Sequence, residues 1–295
     1  MSASDPFRVD GPAILSVSGG RTSAYMLRRI VQAHGGTLPA DVIATFANTG
    51  KEMPETLDFV RDLAERWGVA IHWLEYRWRS GEHYFAEVDH ATASRNGEPF
   101  DLLIEARSML PNPVARFCTQ ELKIRTMQRF AWSLGWRDWT NVVGLRADEP
   151  RHVANLRARN EGGKDGWDIS LPLASAGITR RDVAAFWRAQ NFDLRLPNIN
   201  GATPHGNCDL CFLKSAATIA GIIRDRPELA RWWIEKETDH AARPNKQAMS
   251  DRGYLQFRMD RPSYAAMLDA SQRQENFDFG DLDQRIDCYC GDAAS

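Results

Sequence analysis

Ile14-Leu-Ser-Val-Ser-Gly-Gly-Arg-Thr-Ser-Ala-Tyr-Met-Leu27 is the stretch that decides the fold. A short apolar run enters the turn Ser18-Gly-Gly-Arg-Thr-Ser23, and a helix-compatible segment leaves it. Glycines at 19 and 20 let the backbone bend tightly, so its N–H groups can converge on one concavity. The positive end of the following helix and the hydroxyls of Ser18, Thr22 and Ser23 add donors, which suits a phosphate. The longer Gly-x-x-x-x-Gly-Lys-Ser/Thr phosphate loop is absent. A Gly-Gly turn between strand and helix also occurs as a plain tight connection, so the turn alone leaves both readings open.

Outward from this turn the first half of the chain alternates. Residues 13–17 read as a buried strand and 22–34 as a helix closed by Gly35-Gly36. Residues 42–48 form a second strand, and 54–67 carry apolar residues at helical spacing between Pro54 and Gly68. Residues 70–76 alternate as a third strand. Strands joined by helices imply an α/β fold with a doubly wound, mostly parallel sheet, whose ligands sit at the carboxyl ends of the strands. Residues 77–113 are polar and broken by Gly and Pro, which predicts a long connection. A helix is expected over 121–134, a strand over 140–145, a mobile surface loop over 156–166 and a helix capped by Thr179 running to about Gln190. The pattern divides into an α/β unit with the Ser-Gly-Gly turn at 1–200 and a helical, cysteine-bearing section at 201–295.

The 295 residues, 43% hydrophobic and 26% charged, match a soluble globular protein that can bury a sizeable core. A formal net charge of -2 gives no global attraction to nucleic acid, although it leaves room for a local basic groove. No apolar run is long enough to cross a bilayer, and no basic-then-apolar leader is present, so a cytoplasmic setting without membrane contact is expected. In that compartment the five cysteines should be mostly reduced, and ligation or catalysis competes with burial to explain them. Most of the ten tryptophans fall in helix- or strand-like patterns and are expected in the core.

The cysteines fall in three segments. Gly206-Asn-Cys-Asp-Leu-Cys-Phe212 holds a Cys-x-x-Cys, Arg116-Phe-Cys-Thr-Gln-Glu-Leu-Lys123 holds Cys118, and Cys288-Tyr-Cys290 lies near the end of the chain. Cys118, Cys208, Cys211 and Cys290, with Cys288 as the alternative fourth donor, can complete a four-thiolate shell. Such a shell suits zinc or an iron–sulfur cluster, while Cys-x-x-Cys alone also fits a redox dithiol.

The Ser-Gly-Gly turn resembles the pyrophosphate loop of the adenine-nucleotide alpha-hydrolase superfamily, and within it the phosphoadenosine-phosphosulfate (PAPS) reductase family. Thr22 stands where that loop usually carries Asp, and Arg21 at the variable position can offset phosphate charge. Phe46-Ala-Asn-Thr-Gly-Lys-Glu-Met-Pro-Glu55 resembles the family's Asp/Asn-Thr-Gly segment, which places Asn48, Thr49 and Gly50 against the nucleotide. Val143-Gly-Leu-Arg-Ala-Asp-Glu-Pro-Arg151 resembles the Gly-x-Arg-x-x-Glu element of ATP-using sulfurtransferases. There Gly144 admits close approach of the ligand, and Arg146 can fork onto phosphate or sulfate oxygens. Asp148 or Glu149 is a candidate holder of Mg²⁺. Lys123, just past Cys118, can hold an anionic group beside the cysteines.

Cys118 followed by Cys208 and Cys211 is similar to the arrangement of the iron–sulfur branch of the family, with Thr119 standing in place of a second adjacent cysteine. The resemblance implies a [4Fe–4S] cluster next to ATP or an adenylyl sulfonucleotide. It implies an enzyme of sulfur metabolism with one of two chemistries. The first reduces an adenylyl sulfonucleotide to sulfite with a thioredoxin-like electron donor. The second uses ATP to adenylylate a nucleobase or nucleic-acid acceptor before sulfur transfer. Arg146 and Lys123 are the expected catalytic groups, and a non-catalytic nucleotide or iron–sulfur sensor is the alternative.

Overall fold

The computed structural model describes residues 5–163, 166–242 and 256–273. Its centre is a six-stranded sheet of order β4-β3-β2-β1-β5-β6. These strands are β1 (Ala13–Ser16), β2 (Val42–Asn48), β3 (Ile71–Arg79), β4 (Glu82–Val88), β5 (Thr140–Val143) and β6 (Asp168–Ser170). β1 is buried at every position, as a strand covered on both faces must be. It pairs in parallel with β2 on one side and β5 on the other, in register Ala13 to Val42 and Ala13 to Thr140. The chain builds outward from β1 to β2 and β3, then returns past β1 to lay down β5 and β6. The strand order therefore reverses between β1 and β5, and the Ser-Gly-Gly turn leaves β1 at that reversal.

Helices α1 (Arg21–Ala33) and α2 (Pro54–Trp67) follow β1 and β2. Proline opens α2, and Gly68 closes it in the left-handed conformation at φ 62°. Ala24, Met26, Leu27, Ile30, Phe59 and Leu63 pack with β1 and β2 into the largest apolar cluster. No helix among the described residues is long and apolar enough to cross a membrane.

Three expectations need correction. Residues 77–113 are not one long connection. β3 continues to Arg79, turns at Ser80-Gly81 with φ values of 54° and 88°, and pairs antiparallel with β4. Two positive φ angles in a two-residue loop make a tight hairpin turn, and Ser-Gly was its only local signal. β4 is an edge strand with exposed residues on both faces, so its sequence lacks an apolar alternation. A helix, α3 (Glu98–Arg107), then follows, with Pro99 in its first turn. Residues 119–133 form a π-helix (Thr119–Arg125) running into α4 (Thr126–Ser133), where a regular helix was expected. The loop expected from 156 is largely helical: α5 (Pro150–Glu161) buries only Val153 and Leu156, too few anchors to show as a period.

Beyond these lie α6 (Pro172–Ser175), α7 (Arg180–Arg188), α8 (Ala216–Asp225), α9 (Ala230–Ala242) and α10 (Tyr264–Arg273). α7 carries the expected Thr179 cap, reciprocated by Asp182. A second apolar cluster joins Tyr76, Phe100, Leu103 and Leu122 to Phe212, Trp233, Phe257 and Tyr264. Trp73, Trp139, Trp187, Trp232 and Trp233 are buried as expected, while Trp132 stays 45% exposed.

The segment that includes Phe257 and Tyr264 is clamped by one buried carboxyl. Glu237 of α9 accepts the N–H of Phe257 at 3.3 Å and of Tyr264 at 3.1 Å. From there Arg261 donates to the Phe212 and Lys214 carbonyls, and the Tyr264 hydroxyl donates to the Leu210 carbonyl. The clamp thus buttresses the Cys-x-x-Cys loop. Burial pushes Glu237 up to about 7 and outweighs its two backbone donors.

Folding therefore favours the protonated carboxyl, which the unfolded chain surrenders near its ordinary value of 4.5. The stability from this site is complete below that pH and is lost as pH rises through about 7. A Glu237→Gln variant should remove a drift on the order of 2–3 kcal/mol between those limits, read as unfolding free energy from urea titrations at each pH. An equal drift in both proteins would assign it to other groups.

Candidate functional site

The turn after β1 forms one wall of a cleft of about 500 Å³. Ser18 to Ser23, Gly144 to Arg146 and the starts of α5 and α7 line it. Gly19 has φ +74°, and a Cβ added there would lie 2.4 Å from Thr56 Cγ2, so only glycine fits the bend. A Cβ on Gly144 would sit 3.0 Å from Ser23 Cα, which shows how closely the end of β5 approaches the turn. The Ser23 hydroxyl accepts the Ser18 N–H at 3.0 Å, contacts the Ser18 hydroxyl at 3.0 Å and donates to the Gly20 carbonyl at 3.1 Å. These bonds hold the turn in shape. No side chain caps the start of α1, so its first-turn N–H groups remain available to an anion in the cleft.

Arg21 and Arg146, two of the four arginines lining the cleft, differ in what holds them. Arg21, expected to offset phosphate charge, is engaged elsewhere. Its guanidinium donates to Asp193 at 2.7 and 2.9 Å, to Thr203 at 2.9 Å and to the carbonyls of Leu194 and Leu196. It ties the turn to the 193–203 segment across the cleft. Arg146 instead lies against the turn. It donates to Thr22 at 3.2 Å and is steadied by Asp148 at 2.8 Å and Glu149 at 3.3 Å. Both carboxylates proposed for Mg²⁺ are thus paired with Arg146, and Asp148 also accepts the Arg180 N–H at 3.1 Å.

Asn48, Thr49 and Gly50 do not line this cleft. The Asn48 amide donates to Glu75 at 2.6 Å and to the Ser94 carbonyl at 2.9 Å, and its oxygen accepts the Gly50 N–H at 3.1 Å. Glu75 is fully buried and also takes the N–H and hydroxyl of Ser94 and the guanidinium of Arg77. Gly50 packs under Gly97 and Pro99. The cause is a pairing that sequence reading missed: Glu52 bridges antiparallel to Cys208, and the Asp209 N–H donates to the Lys51 carbonyl at 2.7 Å. That pairing draws the loop after β2 onto the cysteine loop.

Thr49, Cys118, Lys123, Cys208 and Cys211 accordingly surround a second, small cavity. None of these three cysteines is in a disulfide. Burial pushes the Cys208 thiol well up, the neighbouring Glu52 adds to that, and Lys123 opposes it. Thr49 Oγ1 lies 3.4 Å from the Cys208 sulfur, and Lys123 stands 4.0 Å from Glu52. Below the cavity, Asp209 is paired with Lys51 at 2.9 Å and accepts from Trp233 at 2.8 Å. His205 is buried beside Lys214, Asp225 and Arg226 and does not line the thiol cavity.

The three thiols fit a thiolate-held cluster in donor type and in sharing one cavity. Their spacing does not bring three candidate ligands together as a metal-binding group among the described residues. Cys288 and Cys290 lie outside the described residues.

The model of the phosphoadenosine phosphosulfate reductase domain matches residues 12–194. The chain is 26% identical over 295 residues to an uncharacterized nin region protein, ORF290, of Escherichia phage lambda, covering 94% of this chain and 95% of the relative. A crystal structure of phosphoadenylyl-sulfate reductase from Candida auris, a phosphate complex, matches at 19% identity and a TM-score of 0.37. That match covers 61% of this chain and 73% of the other.

Removing the Asp209 carboxylate would leave Lys51, only 5% exposed, as an unpaired buried charge. An Asp209→Ala variant should lose about 3–5 kcal/mol of unfolding free energy in urea, the usual cost of breaking a buried pair. A loss under 1 kcal/mol would mean the two loops are held together by other contacts.

Proposed function

This chain belongs to the phosphoadenosine phosphosulfate reductase domain family, and we propose that it is a nucleotide-using enzyme of sulfur metabolism. The observation that carries the reading is a Ser-Gly-Gly turn whose cleft shares Asn207 with a cavity lined by three cysteines outside any disulfide. Ser18, Gly19, Gly20, Thr22 and Ser23 cradle the phosphates of ATP or an adenylyl sulfonucleotide with backbone N–H groups and hydroxyls. Gly144 leaves room for them, and Arg146 neutralises charge that develops on the α-phosphate or sulfate. Its paired carboxylates pre-orient that guanidinium. Lys123 supplies a second positive charge at the thiol cavity. Asn48 to Gly50 act one step back from the ligand, by holding Thr49 and Glu52 against Cys208.

Cys118, Cys208 and Cys211, with Cys290 or Cys288 from the tail, would hold a [4Fe–4S] cluster. When bound, such a group supplies a soft, electron-rich centre for sulfur chemistry. The section from 201 onward brings Cys208 and Cys211 to the same cavity as Cys118.

Reduction is the first reading. A thiolate attacks the sulfur of an adenylyl sulfate, the sulfur–oxygen bond to phosphate breaks and AMP leaves. A dithiol donor of the thioredoxin type then releases sulfite from the resulting thiosulfonate and becomes a disulfide. The Gly144-Leu-Arg146 element at the cleft favours a second reading, in which ATP adenylylates a nucleobase or nucleic-acid oxygen with loss of pyrophosphate. A sulfide then displaces AMP.

Anaerobic incubation of the full-length protein with adenylyl sulfates plus thioredoxin, and separately with ATP plus nucleic acid, distinguishes them. Sulfite and AMP are expected in the first arm; AMP and pyrophosphate dependent on nucleic acid would move the assignment to the second. Tight nucleotide binding with no product in either arm would favour a sensor. In whichever arm turns over, Arg146→Ala should lower kcat/KM by about 10²–10³. A change under threefold would remove Arg146 from the reacting centre.

A further inference from the structure

The cleft and the thiol cavity are separate spaces, and one residue belongs to the walls of both: Asn207. Its backbone is left-handed, at φ +60°. Asn is among the few residues other than Gly that adopt this region without severe strain. The chain on either side fixes it there. The Gly206 N–H donates to the Thr203 carbonyl at 2.9 Å, and Cys208 is bridged to Glu52. The half-buried carboxamide makes no hydrogen bond to another described residue. A sparsely populated backbone conformation, held from both sides and presenting an unused amide at a junction between cavities, is the kind of strain that functional sites retain.

We propose that Asn207 contacts the ligand at the junction, donating a hydrogen bond to an anionic oxygen at the end of the nucleotide that faces the thiols. This rests on the nucleotide reading above and adds a specificity-determining residue to it. The turn at Ser18–Ser23 and the guanidinium of Arg146 approach the phosphates from the far wall. Asn207 approaches from the thiol side, where the group to be transferred must lie. A neutral amide suits that position. It donates to a phosphate or sulfonate oxygen without adding charge beside the Cys208 sulfur. The left-handed backbone places Asn207 at the junction while the next residue enters the bridge to Glu52.

Titration calorimetry of the full-length protein with ATP, adenosine 5′-phosphosulfate and adenosine tests the assignment in three proteins. Asn207→Gly keeps the backbone conformation and removes the amide; Asn207→Asp keeps the shape and places a carboxylate against the anion. Asn207→Gly should melt with the wild type, bind adenosine within twofold of it, and lose about tenfold in affinity for the two anionic ligands. Asn207→Asp should lose more than Asn207→Gly for both anionic ligands and hold adenosine unchanged. Equal losses for adenosine and ATP would make Asn207 a structural residue. Wild-type affinity for ATP in Asn207→Asp would place the side chain away from the anion. Either result overturns this inference while leaving the nucleotide reading intact. Failure of the wild-type protein to bind any of the three ligands would overturn the nucleotide reading and this inference with it.

Discussion

The buried ion pair between Lys51 and Asp209, 2.9 Å long and almost wholly removed from solvent, is the contact on which the arrangement of this molecule depends. One partner follows β2 of the parallel sheet, and the other sits inside the Cys-x-x-Cys loop. A pair buried this deeply carries a large desolvation cost, which only good geometry and further donors offset. Here they are present. Trp233 donates to Asp209, the backbones pair at Glu52 and Cys208, and Trp232 lies over the Lys51 ammonium at 5.1 Å. Because the charges must meet, the thiols are brought to the carboxyl ends of the strands and to no other edge of the sheet.

That placement explains why residues near the Ser-Gly-Gly turn have such different duties. Arg21 and Arg146 both line the cleft, yet Arg21 faces a carboxylate and two carbonyls on the 193–203 segment and serves as a brace. Arg146 meets a hydroxyl of the turn itself and carries its counter-charges alongside. A guanidinium with five donors can act either way, and what surrounds it decides. Asn48 shows the same division. Its amide is saturated by Glu75 and Ser94, and it acts through the loop that it shapes.

The cysteine loop is supported from behind as well as from the side. Tyr264, Arg261 and Glu237 hold its carbonyls and the segment above it, so the loop is fixed between the sheet and α9. This platform beside the cleft keeps Cys208 and Cys211 out of solvent, and burial pushes the Cys208 thiol well up.

Local patterning in the chain was sufficient for the strand–turn–helix units around β1 and β2, for the parallel sheet, for the Ser-Gly-Gly turn and for the Thr179 cap. In each of these the signal lies within a few residues: an apolar run, a glycine pair, a proline start or a capping side chain. The edge hairpin at Ser80-Gly81 and helix α5 were hidden because exposed elements carry little apolar period. The partners of Arg21, Asn48 and Asp209 were hidden for a different reason. Each is a long-range choice among many charged residues, 172 positions apart for Arg21 and Asp193, and no local pattern records it. Sequence by itself determined the strand–turn–helix units around β1 and β2 and where the Ser-Gly-Gly turn falls between them. Only the tertiary structure decided which arginine remains beside the phosphate turn, which loop meets the thiols and which residue stands between the two cavities, because those outcomes depend on burial and on pairing across the whole fold.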